Sequence, residues 1–209
     1  MSFQTIFEIS QSISVNNRRV VGQQQSRSGQ MRVAQYLTSV PWQFTVKPHA
    51  YLYYPQVRDV IQTIDNYDRQ IPQVISFSST NLSWFTLYQG DITSGTITLA
   101  STPVANTQTL SIAFTTGSGY AFKAGDFIMI NGYTYKVTAN VSRATSPANV
   151  GIHRPLIGSP TSGTTVYKGT DCTFNILAQQ CPTYTLNPMT NGAFVQWDGD
   201  FVFVEDITG

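Results

Sequence analysis

The sequence predicts an all-β protein with one short helix, organised as a β-sandwich-like domain that is interrupted by a small inserted β-barrel. Short runs of alternating apolar and polar residues recur along the 209 residues, and a period of two is typical of half-buried strands. Clusters of Gly, Ser, Pro and Asn separate these runs and supply turns between them. Only one segment has its apolar residues at helical spacing.

The first region spans residues 1–88 and opens with one or two predicted strands, marked by apolar residues between Phe3 and Ile13. Residues 22–30 are polar and bounded by glycine, so they predict an exposed loop or the tip of a long hairpin. The alternation from Trp42 to Val46 then predicts a strand with one buried face.

The predicted helix begins near Pro55, because apolar residues within 57–67 recur at helical spacing. Proline suits the first turn of a helix, and Pro72 lies beyond the expected end. Two further strands are predicted after this helix, at residues 74–77 and 84–88.

The second region, residues 89–169, contains the clearest local signal of the chain. Residues 127–130 form a short apolar strand, and Asn131-Gly132 is a strong signal for a type I′ hairpin turn. The alternation in residues 133–138 predicts the returning strand. With five or six short strands in about 80 residues, this region predicts a small barrel or sandwich, and we expect an OB-like β-barrel.

The third region, residues 170–209, contains three predicted strands joined in part by a turn at Asp198-Gly199-Asp200. Three strands are too few for a stable domain, so we expect them to return to the sheets of the first region. The predicted organisation is therefore a split β domain, residues 1–88 plus 170–209, with residues 89–169 inserted as an OB-like barrel.

The sequence offers no catalytic or metal-binding motif. His49 and His153 are the only histidines, and neither has a second ligand at metal-binding spacing. Cys172 and Cys181 are too few for a disulfide framework and are expected to be small buried residues. We therefore predict no metal and no cofactor.

Asp198 and Asp200 have the residue types of a paired-carboxylate glycosidase site, but a polar hairpin turn is the favoured interpretation. No serine-nucleophile elbow and no phosphate-binding loop occurs elsewhere. The prediction is that the chain is not an enzyme.

Charge and composition bear on the partners of the chain. The net charge is +1 and only 11% of residues are charged, so no strong field attracts nucleic acid or a membrane. Twelve Phe and eleven Tyr accompany this low charge, which favours apolar surface that a partner covers. We expect a homo-oligomer, without a specific nucleic-acid or membrane partner.

The charges are also distributed unevenly. An early basic arm and an acidic C-terminal stretch are predicted to meet at a subunit interface, through Arg18, Arg19, Arg27, Arg32, Asp198, Asp200, Glu205 and Asp206. In a closed ring each subunit presents different surfaces to its two neighbours, which suits such polarity. The alternative is solvated charge of no consequence.

Three features resemble bacteriophage distal-tail and baseplate-hub proteins. The first is the hairpin of residues 123–138, followed by 152–156 and 163–166. The second is the order of parts, a β domain interrupted by a small OB-like barrel. The third is the ending, residues 182–186 followed by 195–201.

This resemblance implies a structural protein of the virion tail, made late and assembled in the cytoplasm of the bacterial host. It implies a ring, expected to be hexameric, that joins the tail tube to hub or receptor-binding proteins. The alternative is a carbohydrate-binding or adhesin module of a virion or cell surface, in which Trp42, Trp84 and Trp197 would stack on sugars. Each of these tryptophans alternates with apolar neighbours, however, which favours placement in the core.

Overall fold

The computed structural model describes residues 3–17, 21–25, 31–35, 40–67, 70–189 and 192–207, with backbone alone for 21–25, 31–35 and residues 67, 189 and 192. The fold is mostly β, with one sheet curled into a half-barrel, so the prediction of a β protein is confirmed. The described residues contain two helices, α1 Gln4–Glu8 and α2 Tyr54–Tyr67, and a 3-10 turn at Gly169–Asp171.

The strands, in chain order, are β1 Ser10–Asn16, β2 Val21–Gln25, β3 Met31–Gln35, β4 Gln43–Pro48, β5 Leu52–Tyr53, β6 Gln73–Ser76, β7 Thr98–Leu99, β8 Thr109–Ala113, β9 Tyr120–Phe122, β10 Phe127–Ile130, β11 Tyr133–Lys136, β12 Val141–Ser142, β13 Ala148–Gly151, β14 Val166–Lys168, β15 Thr173–Gln180, β16 Tyr184–Met189, β17 Gly192–Trp197 and β18 Phe201–Glu205.

The largest sheet joins both ends of the chain. Its strand order is β1-β4-β18-β15-β6, and every neighbouring pair is antiparallel. The C-terminal strands β15 and β18 therefore lie between strands of the first region, which is the return that the sequence led us to expect. A smaller sheet, β16-β17-β5, also combines the two ends, and β2 pairs with β3 as a hairpin.

Alternation of side chains builds the first hydrophobic core on this sheet. Phe44 and Val46 of β4 are fully buried beside Trp42, which confirms the predicted strand. Phe201 and Phe203 of β18 continue the same buried face, because every second residue of a strand points to the same side. The rings pack edge to face in many places, as aromatic quadrupoles favour.

The opening residues form a helix, so the predicted opening strand is wrong for residues 4–8 and right only from Ser10 onward. Phe3, Ile6 and Phe7 follow the i, i+3, i+4 spacing of one helical face, and all three are buried in the first core. Helix α2 is confirmed, since Pro55 lies in its first turn and Val57, Val60 and Ile61 are buried.

The second hydrophobic core lies within the second region. Three short sheets surround it, with strand orders β11-β10-β14, β12-β9 and β13-β8-β7. The predicted hairpin is confirmed: Ile130 pairs with Tyr133, and Asn131 and Gly132 have φ of 51° and 82°, as a type I′ turn requires. Strands β9, β12 and β16 were not predicted.

Strand β10 belongs to both cores. Its four residues are all buried, because Phe127 and Met129 contribute to the first core while Ile128 and Ile130 contribute to the second. The two faces of this strand thus pack against the two different cores. This explains why residues 127–130 show no polar alternation.

The strand predicted at residues 84–88 is absent from the structure, and turns occupy residues 80–85. Leu82 and Ser83 both donate backbone N–H groups to the Ser79 carbonyl, at 3.0 and 2.8 Å, and Phe85 donates to Leu82. These local bonds close turns in place of a strand ladder. As a result Trp84 is 72% exposed, which overturns its expected core placement, whereas Trp42 and Trp197 are buried.

Candidate functional site

A groove beside strand β1 is lined largely by apolar side chains. It measures about 420 Å³ and includes Ile13 and Val15 of β1 together with Leu82, Trp84 and Phe85 of the turn segment. None of its lining residues is charged. We call it the Trp84 groove.

The indole of Trp84 is held in place although it is exposed. Its Nε1–H donates to the Asn81 carbonyl at 2.9 Å, and its ring meets Phe85 nearly edge to face with centroids 6.2 Å apart. A large aromatic surface that is already ordered loses little conformational entropy when a partner covers it. Tryptophan is for this reason common at the energetic centres of protein interfaces.

Strand β1 forms the adjoining edge of the five-stranded sheet. Within the described residues no strand pairs with its outer side. Its sequence, SQSISVN, contains no charge and no proline, the residues that commonly protect an exposed edge. The edge and the Trp84 groove together offer backbone hydrogen bonds beside an apolar recess, as strand-addition sites do.

The opposite edge of the same sheet is covered differently. Gln4 of α1 donates from Nε2 to the Ser76 carbonyl at 2.9 Å and accepts the Ser76 N–H on Oε1 at 2.9 Å. Its side-chain amide thereby occupies both outward backbone groups of Ser76 in β6. At this position the β6 edge is closed from within the chain.

Half of the predicted charged interface lies outside the described side chains. Arg18, Arg19 and Arg27 are outside the described residues. Arg32 is described by its backbone alone, which pairs with Gln24 across the β2–β3 hairpin.

Three of the four predicted acidic residues lie at or near the surface. Asp198 is exposed and accepts a hydrogen bond from the Thr183 hydroxyl at 3.2 Å. Asp200 is half-buried and lines a cavity with Lys47 and His49. Asp206 lines a third recess, beside the tip of the β10–β11 hairpin. Asp198 and Asp200 lie in the predicted turn between β17 and β18.

Glu205 is in the interior and not on a subunit surface. Its side chain is 1% exposed and forms a two-pronged ion pair with Arg154, with Nη1–Oε2 at 2.5 Å and Nη2–Oε1 at 2.7 Å. The carboxylate also accepts the backbone N–H of Trp42 at 3.0 Å. The expected role of Glu205 at a subunit interface is corrected, because its acceptor groups are engaged within its own chain.

This ion pair joins the two cores. Arg154 comes from the second region and also donates to the carbonyls of Val40 and Thr134, at 2.9 and 3.0 Å. The Trp42 indole N–H donates to the same Thr134 carbonyl at 2.9 Å. A charge taken out of water is tolerated only when it is paired and hydrogen-bonded, and this network supplies both conditions.

The local sequence pattern predicts burial of both residues of this ion pair, although the distribution of charge along the chain suggested a surface position for Glu205. Glu205 follows Phe201 and Phe203 at a spacing of two, so the period of the strand places it on the buried face. Arg154 lies between the buried apolar residues Ile152 and Leu156. Both charged residues therefore occupy positions at which the local pattern indicates burial.

The turn that precedes the β10–β11 hairpin is held by a buried carboxylate. The buried Asp126 carboxylate accepts the Lys123 N–H at 2.8 Å and the Gln89 N–H at 2.9 Å. It thereby closes the turn before β10 and fixes the chain at its entry into the second region. The adjacent Gly125 has φ +98°, a conformation that other residues rarely adopt.

Among the described residues no group of three or more His, Cys, Asp or Glu side chains is placed to hold a metal. His153 accepts the Lys136 N–H on Nδ1 at 3.0 Å. Burial, reinforced by the nearby Asp171, raises the pKa of the Cys172 thiol, which keeps it protonated and unreactive. No disulfide joins Cys172 to Cys181, which is half-buried.

Neither of the two described helices has the length and apolar character needed to cross a membrane. Comparison with known proteins found no family model that matches the chain and no curated protein that matches it.

Proposed function

We propose that the chain is a non-enzymatic structural component of a bacteriophage tail baseplate, which forms a ring joining the tail tube to hub or receptor-binding proteins. The proposal combines the sequence resemblance with one structural observation. That observation is the uncharged open edge of β1 beside the Trp84 groove, a surface suited to association with another copy of the chain.

The composition of this surface supports a second copy as its occupant. Because the groove lining and β1 are uncharged, a strongly charged partner gains no ion pairs there and loses hydration. The chain itself has few charges and many aromatic residues, so its own surface is a suitable match. A closed ring uses two different surfaces of each subunit, and the two edges of the large sheet differ.

The finer parts of the proposal concern architecture and charge. We propose that residues 89–169 form an OB-like barrel inserted into a β-sandwich-like domain made of 1–88 and 170–209. Contacts between the arm carrying Arg18, Arg19, Arg27 and Arg32 and the acids Asp198, Asp200 and Asp206 of a neighbour would add specificity. Surface ion pairs contribute only about 0–1 kcal/mol each, so the apolar groove carries most of the expected affinity.

The test compares Trp84→Ser with Val104→Ser in the full-length protein by native mass spectrometry. Val104 is 79% exposed and lies outside the groove, so it is a matched control for loss of exposed apolar surface. We expect the parent and Val104→Ser to form the same closed oligomer. Trp84→Ser should shift the population towards monomer, by about tenfold or more in dissociation constant, as expected for an interface hot spot.

A parent protein that stays monomeric at high micromolar concentration, and that captures no tail proteins in pull-downs, would overturn the assembly proposal. Equal oligomerisation of parent and Trp84→Ser would instead move the interface away from the groove. Unfolding is separated from dissociation by circular dichroism, since replacing an exposed side chain should change the free energy of unfolding by no more than about 0.5 kcal/mol.

A further inference from the structure

A second recess differs from the Trp84 groove because charged side chains are among its lining residues. It measures about 300 Å³, and its lining includes Gln11, Lys47, His49, Gln196, Trp197 and Asp200. These residues come from β1, from the end of β4 and the loop after it, and from the β17–β18 turn. We call it the Trp197 cavity.

The indole nitrogen of Trp197 is the polar atom that points to a ligand for this cavity. The residue is only 7% exposed, and its ring packs against Tyr184 and Phe201, with centroids 5.2 and 4.8 Å away. Its buried Nε1–H has no hydrogen-bond partner among the described residues. A buried donor without a partner has lost its hydrogen bonds to water, so an acceptor that reached it would recover free energy.

The other two tryptophans make the contrast clear. Trp42 donates its indole N–H to the Thr134 carbonyl, and Trp84 donates to the Asn81 carbonyl, both at 2.9 Å. Within the described structure the chain thus satisfies the indole donors that lie away from this cavity. The one without a partner belongs to a residue that lines it.

Strand β1 has a β-bulge beside the cavity. Ser10 pairs with Pro48 and Ser12 pairs with Lys47, so Gln11 is an extra residue in β1. Such a bulge bends the strand and redirects a side chain, and bulges are common next to binding and active sites. The bulged residue is here one of the residues that line the cavity.

The functional groups of the lining are balanced between donors and acceptors. Lys47 and the Trp197 N–H donate, Asp200 accepts, and the two glutamine amides can do both. One positive and one negative side chain leave no net preference for an anion or a cation. A neutral ligand with several hydroxyl groups uses all of these partners at once.

We infer that the Trp197 cavity binds a saccharide, through a hydrogen bond that the Trp197 N–H donates to a sugar hydroxyl oxygen and hydrogen bonds that sugar hydroxyls donate to the Asp200 carboxylate. Trp197 acts here as a buried hydrogen-bond donor and not as a stacking platform, since its ring faces are packed inside the protein. The cavity shares Gln11 with the lining of the Trp84 groove and Asp200 with the proposed charged interface, but none of the apolar side chains of the groove lines it.

The test follows the three indole N–H signals of the ¹⁵N-labelled full-length protein by transverse-relaxation-optimised NMR. Trp197→Phe keeps the ring and removes the N–H, so it assigns one signal. Glucose, galactose and N-acetylglucosamine are titrated separately to about 20 mM, which nearly saturates a site of millimolar affinity. We expect at least one sugar to shift the Trp197 signal and leave those of Trp42 and Trp84 in place.

Two variants make the result specific. Asp200→Asn should weaken the binding about tenfold, as expected for loss of a hydrogen bond to a charged group. Asp198→Asn, in the same turn but outside the cavity lining, should leave it unchanged. The inference is wrong if no sugar moves the Trp197 signal, or if inorganic phosphate moves it and sugars do not. Oligomeric state is measured separately, so this failure leaves the ring proposal standing.

Discussion

The two hydrophobic cores are assembled from the chain in different ways. The second core draws its buried residues from one continuous segment, between Ile92 and Val166, and most of them are aliphatic. The first core collects residues from Phe3 to Phe203, and ten of its 23 buried residues are aromatic. One core is therefore local in sequence, whereas the other depends on pairing between the two ends of the chain.

The comparison shows where local sequence patterns are sufficient and where they are not. In the second region, turn chemistry and alternation lie next to the strands that they organise, as in the Asn131-Gly132 hairpin. In the first, β4 pairs with β18 across more than 150 residues, and no local signal selects that partner. Contacts between distant residues also require a large loss of chain entropy before they form.

The largest expected effect uses adjacent residues that face different cores. Phe127→Ala removes a ring that contacts Trp42 and Phe85, with centroids 5.7 and 5.0 Å away, and should cost about 3–5 kcal/mol. Ile128→Ala removes a fully buried side chain from the second core and should cost about 2–5 kcal/mol. We expect a single unfolding transition in urea, with a lower midpoint in both variants, because β10 serves both cores.

The same experiment can separate the cores. If Phe127→Ala produces two transitions, of which the later one matches the parent, the second core folds independently within the chain. The predicted boundaries at 89 and 169 are tested further by excising that segment and recording its NMR spectrum. Such a segment exposes Phe127 and Met129 to water, so a parallel version with polar residues at both positions is the appropriate control.

The next effect in size concerns the ion pair between the cores. Glu205→Gln leaves Arg154 buried without a counter-charge, and breaking a buried pair in this way should cost about 3–5 kcal/mol. Asp198→Asn makes the same chemical change at an exposed turn and should stay within about 0.5 kcal/mol. Chemical denaturation at pH 7 measures both.

A double-mutant cycle with Arg154→Met shows whether the cost reflects the pair itself. Once Glu205 has been replaced by Gln, removal of the unpaired guanidinium should cost much less than it does in the parent. Additive effects of the two substitutions would show that the cores are joined by the remaining contacts, such as the Trp42 indole bond to Thr134, and not by the ion pair.

Local sequence reasoning predicted the helix at Pro55, the central strand at Trp42 and the hairpin, because each is specified by residues within one turn or one strand. It failed at Phe3, Ile6 and Phe7, where an apolar cluster fits either period. It also failed at Trp84, where serine and asparagine turns override an apolar run. Glu205 was assigned to the surface from its charge alone, although the alternation with Phe201 and Phe203 indicates burial.

The candidate surfaces could be predicted only in part. The sequence analysis placed Trp84 and Trp197 in the core, which is right for Trp197 and wrong for Trp84. Exposure of Trp84 results from the turns at 80–85, and the Trp197 N–H has no partner among the described residues. Neither property is visible in the order of residues, because each depends on what the folded chain leaves without a partner.

The smallest expected effect is a loss of stability at alkaline pH that acts through the second core. Burial raises the pKa of Tyr135 to about 12, although the Ile157 N–H and the Arg154 guanidinium oppose the shift. In the unfolded chain this phenol ionises near pH 10, so from pH 10 to 12 the unfolded state binds fewer protons than the folded state. The contribution is therefore fully present below pH 10 and is lost as the pH rises to 12, by roughly 3 kcal/mol.

Tyr135→Phe should flatten this part of the pH profile, measured as the free energy of unfolding in urea between pH 9 and 12. The variant also loses the hydrogen bond that the phenol oxygen accepts from Ile157 at 2.9 Å, which should lower stability by about 1 kcal/mol at every pH. In a plot of unfolding free energy against pH, loss of the hydrogen bond shifts the whole curve downward, whereas loss of the ionisation changes its slope, so the two effects can be told apart. Equal slopes in parent and variant would mean that Tyr135 already ionises as in water, and that solvent reaches this side chain within the second core.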